Sequence, residues 1–145
     1  MTLDSNHALN GYAAFFERLT PETVGRLGEH VSPDVRFINP FCDVTGLSKM
    51  EHLVHNLYTD VEDPQIAISD RAVGARSCYL RWQFTAHFKG RKNTFAIDGV
   101  SEIRFDQRGL VILQHDHWDS ASQLYDHFPV LRTVLGAIRR YVTEA

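Results

Sequence analysis

The chain has 145 residues, of which 43% are hydrophobic and 23% are charged, and its formal net charge is −3. This composition is typical of an ordinary globular protein, and the length predicts a single domain spanning 1–145. The slightly acidic balance and the lack of a basic stripe argue against a nucleic-acid partner. No window approaches the ~20 apolar residues that a membrane span requires, so no membrane partner is expected.

The N-terminal residues and the cysteines indicate in which cellular compartment the protein is expected. The first residues contain no apolar run behind a basic cluster, so the sequence predicts no secretion signal. Cys42 and Cys78 stand far apart and in no metal-ligand spacing, which favours two reduced thiols. We therefore expect a cytoplasmic protein.

Helices are predicted mainly in the first half of the chain, where apolar residues recur every three or four positions. The predicted elements there are a helix over 8–19, a short second helix that ends before Ser32, a strand over 34–39 and a helix over 48–59. Ser48 and Glu51 form a capping-box pattern for the last of these helices. Pro129 opens one more predicted helical segment.

The second half of the chain is predicted to form long strands. These cover 65–73, 76–88 and a hairpin over 95–119, whose turn is Asp106-Gln107-Arg108-Gly109. Helices followed by a run of long antiparallel strands predict an α+β domain, in which the helices cover one face of a curved sheet.

The last strand of this hairpin separates two sets of side chains, because side chains alternate between the faces of a strand. One face carries Ile112, Gln114, Asp116 and Trp118, and the other carries Val111, Leu113, His115 and His117. A carboxylate between a glutamine and a tryptophan on an inward face requires a compensating partner, because burying an unpaired charge is costly.

The strand over 78–88 has an equally clear division. Its apolar face is Leu80, Trp82, Phe84, Ala86 and Phe88, and its polar face is Tyr79, Arg81, Gln83, Thr85 and His87. In one interpretation the apolar face packs on the core and the polar face meets water. In the other, the polar face lines a cavity and the Trp82/Phe84 stripe packs on a second subunit. Periodicity alone does not choose between them.

Several short sequence segments resemble those of the nuclear transport factor two-like superfamily, which contains SnoaL-like and ketosteroid-isomerase-like proteins. The segments are Phe37-Ile38-Asn39-Pro40 ahead of Gly46, Leu80-Arg81-Trp82-Gln83-Phe84, Gly99-Val100-Ser101-Glu102-Ile103-Arg104-Phe105-Asp106 with Gly109, and His115-Asp116-His117-Trp118-Asp119. The resemblance implies a cystatin-like cone, in which a curved mixed or antiparallel sheet wraps around the N-terminal helices. It also implies a pocket between helices and sheet, and a homodimer formed through the Trp82/Phe84 face.

The resemblance further implies a set of site residues. Those expected to line the pocket are Arg81, Gln83, Ser101, Gln114, Asp116 and Trp118. Compared with limonene epoxide hydrolase, Asn39, Arg81 and Asp116 match polar site residues, whereas Gln83 replaces an aspartate.

Six aromatic residues are expected in the core or the pocket wall: Tyr12, Phe15, Phe16, Phe37, Phe41 and Tyr58. Three of them, Phe15, Phe37 and Tyr58, are expected to bind substrate. Phe15 and Phe37 stand where ketosteroid isomerase and limonene epoxide hydrolase, respectively, have a tyrosine, and Tyr58 lies on the third predicted helix.

The resulting functional hypothesis is a cofactor-independent enzyme of isomerase, polyketide-cyclase or epoxide-hydrolase-like type that acts on a small apolar organic ligand. Asp116 is its acid or base, Arg81 sets the charge of Asp116, and Asn39 and Gln83 orient water or substrate. In the structural alternative, Arg81 and Asp116 only neutralise each other within a buried polar network. A non-catalytic ligand carrier and an interaction domain with a filled pocket also remain open.

A metal site is the less favoured interpretation of the histidines. His115 and His117 lie on one strand face, as two imidazole ligands of a metal often do. Asp116 points to the opposite face, however, and no third ligand stands at an evident spacing. The sequence therefore predicts no metal, and these histidines are expected at the surface or at a subunit contact.

Overall fold

The computed structural model describes residues 3–90, 92–123, 136, 137, 140 and 143. The helices are α1 (Ser5–Glu17), α2 (Leu47–Thr59) and α3 (Ser120–Gln123), with a 3-10 helix at Val24–Glu29. The strands are β1 (Val31–Asn39), β2 (Cys42–Thr45), β3 (Val61–Val73), β4 (Cys78–Phe88), β5 (Thr94–Phe105) and β6 (Val111–His117). The helical segment predicted from Pro129 lies outside the described residues. No described helix is both long and apolar enough to cross a membrane.

All six strands form one sheet in the order β2-β1-β6-β5-β4-β3. β1 and β6 run parallel, and every other neighbouring pair is antiparallel, so the sheet is mixed. The predicted α+β class is confirmed. The parallel pair matters for the site, because it brings the last residues of β1 beside the last residues of β6, with Ile38 opposite His115.

The helices cover one face of this sheet, which we call the inner side; the opposite face is the outer side. α1 packs against β3 and β4, and α2 packs against β1 and β3. Leu80, Phe84, Ile97 and Ile103 lie on the inner side, where none is more than 6% exposed. Burial of such side chains is the main favourable term in folding, and each contributes about 1.5–3 kcal/mol.

The apolar face of β4 therefore packs on the core of its own chain. Phe84 is 3% exposed, and Trp82 packs against the buried cluster. The prediction that Trp82 and Phe84 form a dimer surface is wrong, because the helices of the same chain cover that face. The simpler interpretation of the β4 pattern, with apolar residues inward and polar residues outward, is the one that the structure adopts.

Two local differences from the predicted elements have simple causes. β1 begins at Val31 and includes Pro33, where the register with β6 shifts between Val31 and Arg36. Proline is tolerated at such an irregularity, because it removes no hydrogen bond from a regular ladder. α2 begins at Leu47 after Gly46, whose φ of 115° favours glycine, so the predicted capping box of Ser48 does not form.

A bulge also changes which residues of β6 face inward. Phe105 pairs with Val111 but Arg104 pairs with Leu113, so β6 carries one extra residue at this point. Val111 is consequently fully buried, while Ile112 is 41% exposed. The prediction that Ile112 shares a face with Gln114 is wrong.

We expect Val111→Ala to lower the free energy of unfolding by about 2 kcal/mol, because it removes buried methyl groups and leaves a cavity. The matched variant Ile112→Ala should cost under about 1 kcal/mol, because its side chain is largely solvated. Urea unfolding of both variants measures the difference. The bulge is contradicted if Ile112→Ala is the more costly substitution.

Candidate functional site

The pairing of β5 with β6 places three polar side chains on the inner side. Ser101 is directly opposite Asp116, and Ile103 is directly opposite Gln114. Directly opposed residues of an antiparallel pair project to the same face. Because Ile103 is a core residue, Gln114 must also point inward, and Asp116 follows it two residues later. Ser101 is 4% exposed and Gln114 is 5% exposed.

Asp116 is held by two hydrogen bonds to one of its oxygens. The Ser101 hydroxyl donates to Oδ1 at 2.6 Å, and the Gln114 amide nitrogen donates to the same atom at 2.9 Å. Within the described part of the chain, no group donates to Oδ2. One carboxylate oxygen of Asp116 is therefore held by two donors, one from β5 and one from β6.

Two aromatic residues extend this network and were not predicted as site residues. The Trp82 indole N–H donates to Ser101 Oγ at 2.9 Å, and the Tyr12 hydroxyl donates to Gln114 Oε1 at 2.5 Å. An ionised carboxylate only accepts hydrogen bonds, so Gln114 must turn its nitrogen to Asp116 and its oxygen to Tyr12. The signal in the sequence was that a buried tryptophan or tyrosine needs a partner for its polar atom.

Gly99 is what allows Trp82 to take this position. A Cβ atom at residue 99 would lie 2.4 Å from Cζ2 of the indole, closer than two carbon atoms approach in proteins. The indole ring therefore lies directly over the β5 backbone, and its N–H reaches the hydroxyl two residues along that strand.

Opposing effects set the electrostatics of Asp116. Burial raises the pKa of this carboxyl group above its ordinary value, because removal from water penalises the charged form. The hydrogen bonds from Ser101 and Gln114 and the charges of His115 and His117 lower the pKa and oppose burial. Burial also raises the pKa of Tyr12, and the negative charge of Asp116 adds to that increase. Tyr12 therefore stays a neutral donor.

Asn39 lies at the end of β1, in the turn to β2. Its side-chain oxygen accepts hydrogen bonds from the backbone N–H groups of Phe41 and Cys42, at 2.8 and 3.0 Å. The Cys42 thiol donates to the same oxygen at 3.3 Å. The amide oxygen of Asn39 is thus used by the turn, and within the described residues its amide nitrogen makes no hydrogen bond.

This turn lies close to Asp116. Burial raises the pKa of the Cys42 thiol, and the negative charge of Asp116 contributes to the increase. The Phe41 ring packs edge-on against Trp118 with 5.5 Å between ring centroids, and Phe41 is 51% exposed. Phe41 and Trp118 therefore form an aromatic pair between the β1–β2 turn and the end of β6.

Arg81 and Gln83 do not lie where the sequence interpretation placed them. Arg81 pairs with Val100, which pairs with His117, so all three project to the outer side. Gln83 donates to Asp98 Oδ1 at 3.2 Å on that same side. Both predictions of position are wrong. Asp116 is compensated by neutral donors instead of an arginine, so mutual neutralisation by Arg81 is excluded as well.

The three predicted aromatic residues are placed differently from one another. Phe37 pairs with Gln114 and is 5% exposed on the inner side. Tyr58 is 3% exposed, and its ring centroid lies 5.9 Å from that of Phe84. Among the described residues its buried hydroxyl has no hydrogen-bond partner.

Phe15 lies away from this carboxylate. Its ring packs against that of His30, with 4.7 Å between centroids. The His30 carbonyl accepts a hydrogen bond from the Val111 backbone N–H, at the far end of β6. Asp116 lies five positions after Val111 along β6, which corresponds to roughly 16 Å. Phe15 therefore packs at the other end of β6.

These features define the class of protein. The chain has the nuclear transport factor two-like fold, with helices before a mixed sheet and polar side chains on the covered side of that sheet. A profile of the SnoaL-like domain family matches residues 12–114. The chain belongs to this SnoaL-like domain family, as the resemblance had implied.

Solved structures with the same fold include proteins of different activity. A putative SnoaL-like polyketide cyclase from Jannaschia sp. CCS1 is 12% identical, with 84% of this chain and 92% of that chain covered and a TM-score of 0.70. A steroid delta-isomerase from Pseudomonas aeruginosa is 20% identical, with 100% and 98% covered and a TM-score of 0.62. An epoxide hydrolase of M. tuberculosis, described as LEH-like, is 15% identical, with 99% and 100% covered and a TM-score of 0.66. No curated protein sequence matches the chain. At these identities the likeness shows the fold, and function must be argued from the site.

We expect Gly99→Ala to displace the Trp82 ring, to break its hydrogen bond to Ser101 and to lower the free energy of unfolding by about 1–3 kcal/mol. The near-ultraviolet circular dichroism of tryptophan should change as well. Gly11→Ala is the matched control, because a Cβ atom there meets nothing within 4 Å. In an exposed helix interior it should stabilise the protein by about 1 kcal/mol. Unchanged stability and spectrum in Gly99→Ala would contradict this placement of Trp82.

Proposed function

We propose that this protein is a cofactor-independent enzyme that moves a proton on a small apolar carbonyl compound, with Asp116 as the group that takes and returns the proton. The observation that carries the proposal is the asymmetric support of one carboxylate. Ser101 and Gln114 both donate to Oδ1, whereas no described residue donates to Oδ2. Proton transfer by a positioned side chain needs such a fixed group with one atom available to the substrate.

The proposed step is the abstraction of a proton from the carbon next to a carbonyl group. The C–H bond breaks, the proton goes to Asp116 Oδ2, and the electron pair moves into an enolate whose negative charge lies on the carbonyl oxygen. The amide nitrogen of Asn39 is assigned as the donor to this oxygen. Return of the proton to the same carbon, or to another carbon of the enolate system, completes an isomerisation.

An apolar substrate is supported by the residues around the carboxylate. Trp118 comes two residues after Asp116 and packs against the buried cluster. Phe41 packs against Trp118 and is 51% exposed. An exposed aromatic surface next to a few polar groups is typical of sites for small organic ligands. The carboxylate is itself oriented through neutral groups, since Trp82 and Tyr12 support Ser101 and Gln114.

Epoxide opening by two cooperating ionisable groups is less well supported. Epoxide opening of that kind requires the side chains of residues 81 and 83 beside Asp116. Arg81 and Gln83 instead lie on the outer side of the sheet. A single carboxylate is sufficient for proton transfer between carbon atoms. Among the three activities considered from the sequence, the geometry therefore favours the isomerase or cyclase type.

The test is exchange of the α-protons of a panel of apolar ketones, headed by 2-tetralone, in D2O. Proton NMR follows the loss of signal, and quenching of tryptophan fluorescence measures binding. We expect the wild-type protein to accelerate exchange and Asp116→Asn to lower the rate by at least about 100-fold. Binding and the thermal midpoint should change little, because asparagine retains an oxygen that accepts from Ser101 and Gln114.

Asp98→Asn is the matched control, because Asp98 lies on the same strand as Ser101 but contacts Gln83 on the outer side. It should leave the exchange rate unchanged. An exchange rate that survives Asp116→Asn overturns the role of this carboxylate. If the wild-type protein binds members of the panel and exchanges none of them, the protein is a ligand carrier and the enzymatic proposal is overturned.

A further inference from the structure

The outer side of the sheet carries three metal-ligating side chains that no step of the proposed function uses. Glu102 of β5 is directly opposite His115 of β6, and His117 follows two residues later on the same face. The ligand atoms of these three residues all lie within 4.8 Å of one another. Glu102 supplies a third potential ligand, which the sequence did not reveal because it comes from the neighbouring strand.

The geometry of the three groups suits a small cation. The rings of His115 and His117 are 3.8 Å apart between centroids and tilted by 32°. Ligand atoms in a tetrahedral zinc site lie about 3.4 Å apart, since each is about 2.0–2.1 Å from the ion. Modest rotation of these partly exposed side chains is enough to bring the ligand atoms from their present spacing to that distance.

The carboxylate of Glu102 is already oriented by its neighbours. The buried Ser77 hydroxyl donates to Glu102 Oε1 at 2.8 Å, and Arg104 Nε donates to that hydroxyl at 3.0 Å. Within the described residues, no group donates to Glu102 Oε2, which remains for an ion. Hydrogen bonds of this kind fix a ligand before the metal arrives and strengthen binding.

The same surroundings limit the affinity of the site. Arg104 Nη2 lies 3.5 Å from Glu102 Oε1, so a positive charge lies near the three side chains. A cation that binds here must gain more from the imidazole nitrogens than it loses to this repulsion. Two imidazoles and one carboxylate favour zinc over magnesium or calcium, which prefer oxygen ligands.

We propose that Glu102, His115 and His117 bind one zinc ion on the outer side of the sheet, with water in the fourth position. The zinc site is separate from the site of the proposed reaction. Asp116 lies between His115 and His117 in the sequence, but its side chain points to the inner side of the sheet. The ion links β5 to β6 opposite the hydrogen bonds of Ser101 and Gln114. Binding therefore stabilises the strand pair that carries Asp116.

The test is a calorimetric titration of zinc chloride into protein that has been treated with a chelator and dialysed, together with thermal unfolding. We expect one ion per chain and a higher thermal midpoint with zinc, and no binding of magnesium under the same conditions. His117→Ala and Glu102→Gln should each weaken zinc binding by at least about 10-fold. His52→Ala is the control, because His52 is exposed on α2 and is not one of the three clustered side chains, so its substitution should leave the affinity unchanged.

Three results would overturn the site. They are no zinc binding to the wild-type protein at 100-fold molar excess, equal affinity in His117→Ala and the wild-type protein, and one ion shared by two chains. His117 is exposed, so its substitution keeps the fold, and far-ultraviolet circular dichroism without zinc verifies this. The outcome does not depend on turnover, so it is independent of the ketone-exchange experiment.

Discussion

A carboxylate on the covered side of a sheet is the constraint on which this structure depends. Asp116 lies among core side chains, and a buried charge without partners is costly. Ser101 and Gln114 supply two hydrogen bonds to one oxygen, and Trp82 and Tyr12 hold those two donors in turn. The network joins α1, β4, β5 and β6. The same hydrogen bonds offset the cost of burying the carboxylate of Asp116 and fix the direction in which it points.

The alternation of β6 gives its two faces different chemistry. On the inner side, a carboxylate has neutral donors on one oxygen and an aromatic border at the sheet edge, which suits proton transfer on an apolar compound. On the outer side, two imidazoles face a glutamate from the neighbouring strand, which suits a cation. Side chains of successive residues project to opposite faces of the sheet, so Asp116 and the histidines beside it lie on different sides although they are adjacent in sequence.

The errors of the sequence interpretation came from sidedness and register. Arg81 and Gln83 were expected beside Asp116 because the polar face of β4 was assigned to the pocket. The indole of Trp82 fills that position instead, which requires the absence of a side chain at Gly99. Ile112 was expected inward, but the bulge at Phe105 exchanges it with Val111. An alternating pattern does not say which of its two sets of side chains faces the core. One extra residue in a strand also exchanges the two sets on one side of the bulge.

The sequence by itself determined the class of fold, the long strands and the family, because hydrophobic periodicity and the segments around Asn39, Ser101 and Asp116 are local properties of the chain. The family resemblance also implied that Ser101, Gln114 and Asp116 share one face, and their hydrogen bonds join them there. Only the tertiary structure decided which face of β4 meets the helices, that Tyr12 and Trp82 complete the network, and that Glu102 joins the two histidines. The physical reason is that these contacts join residues of different elements, and their register depends on bulges and on helix packing that no single stretch of sequence specifies.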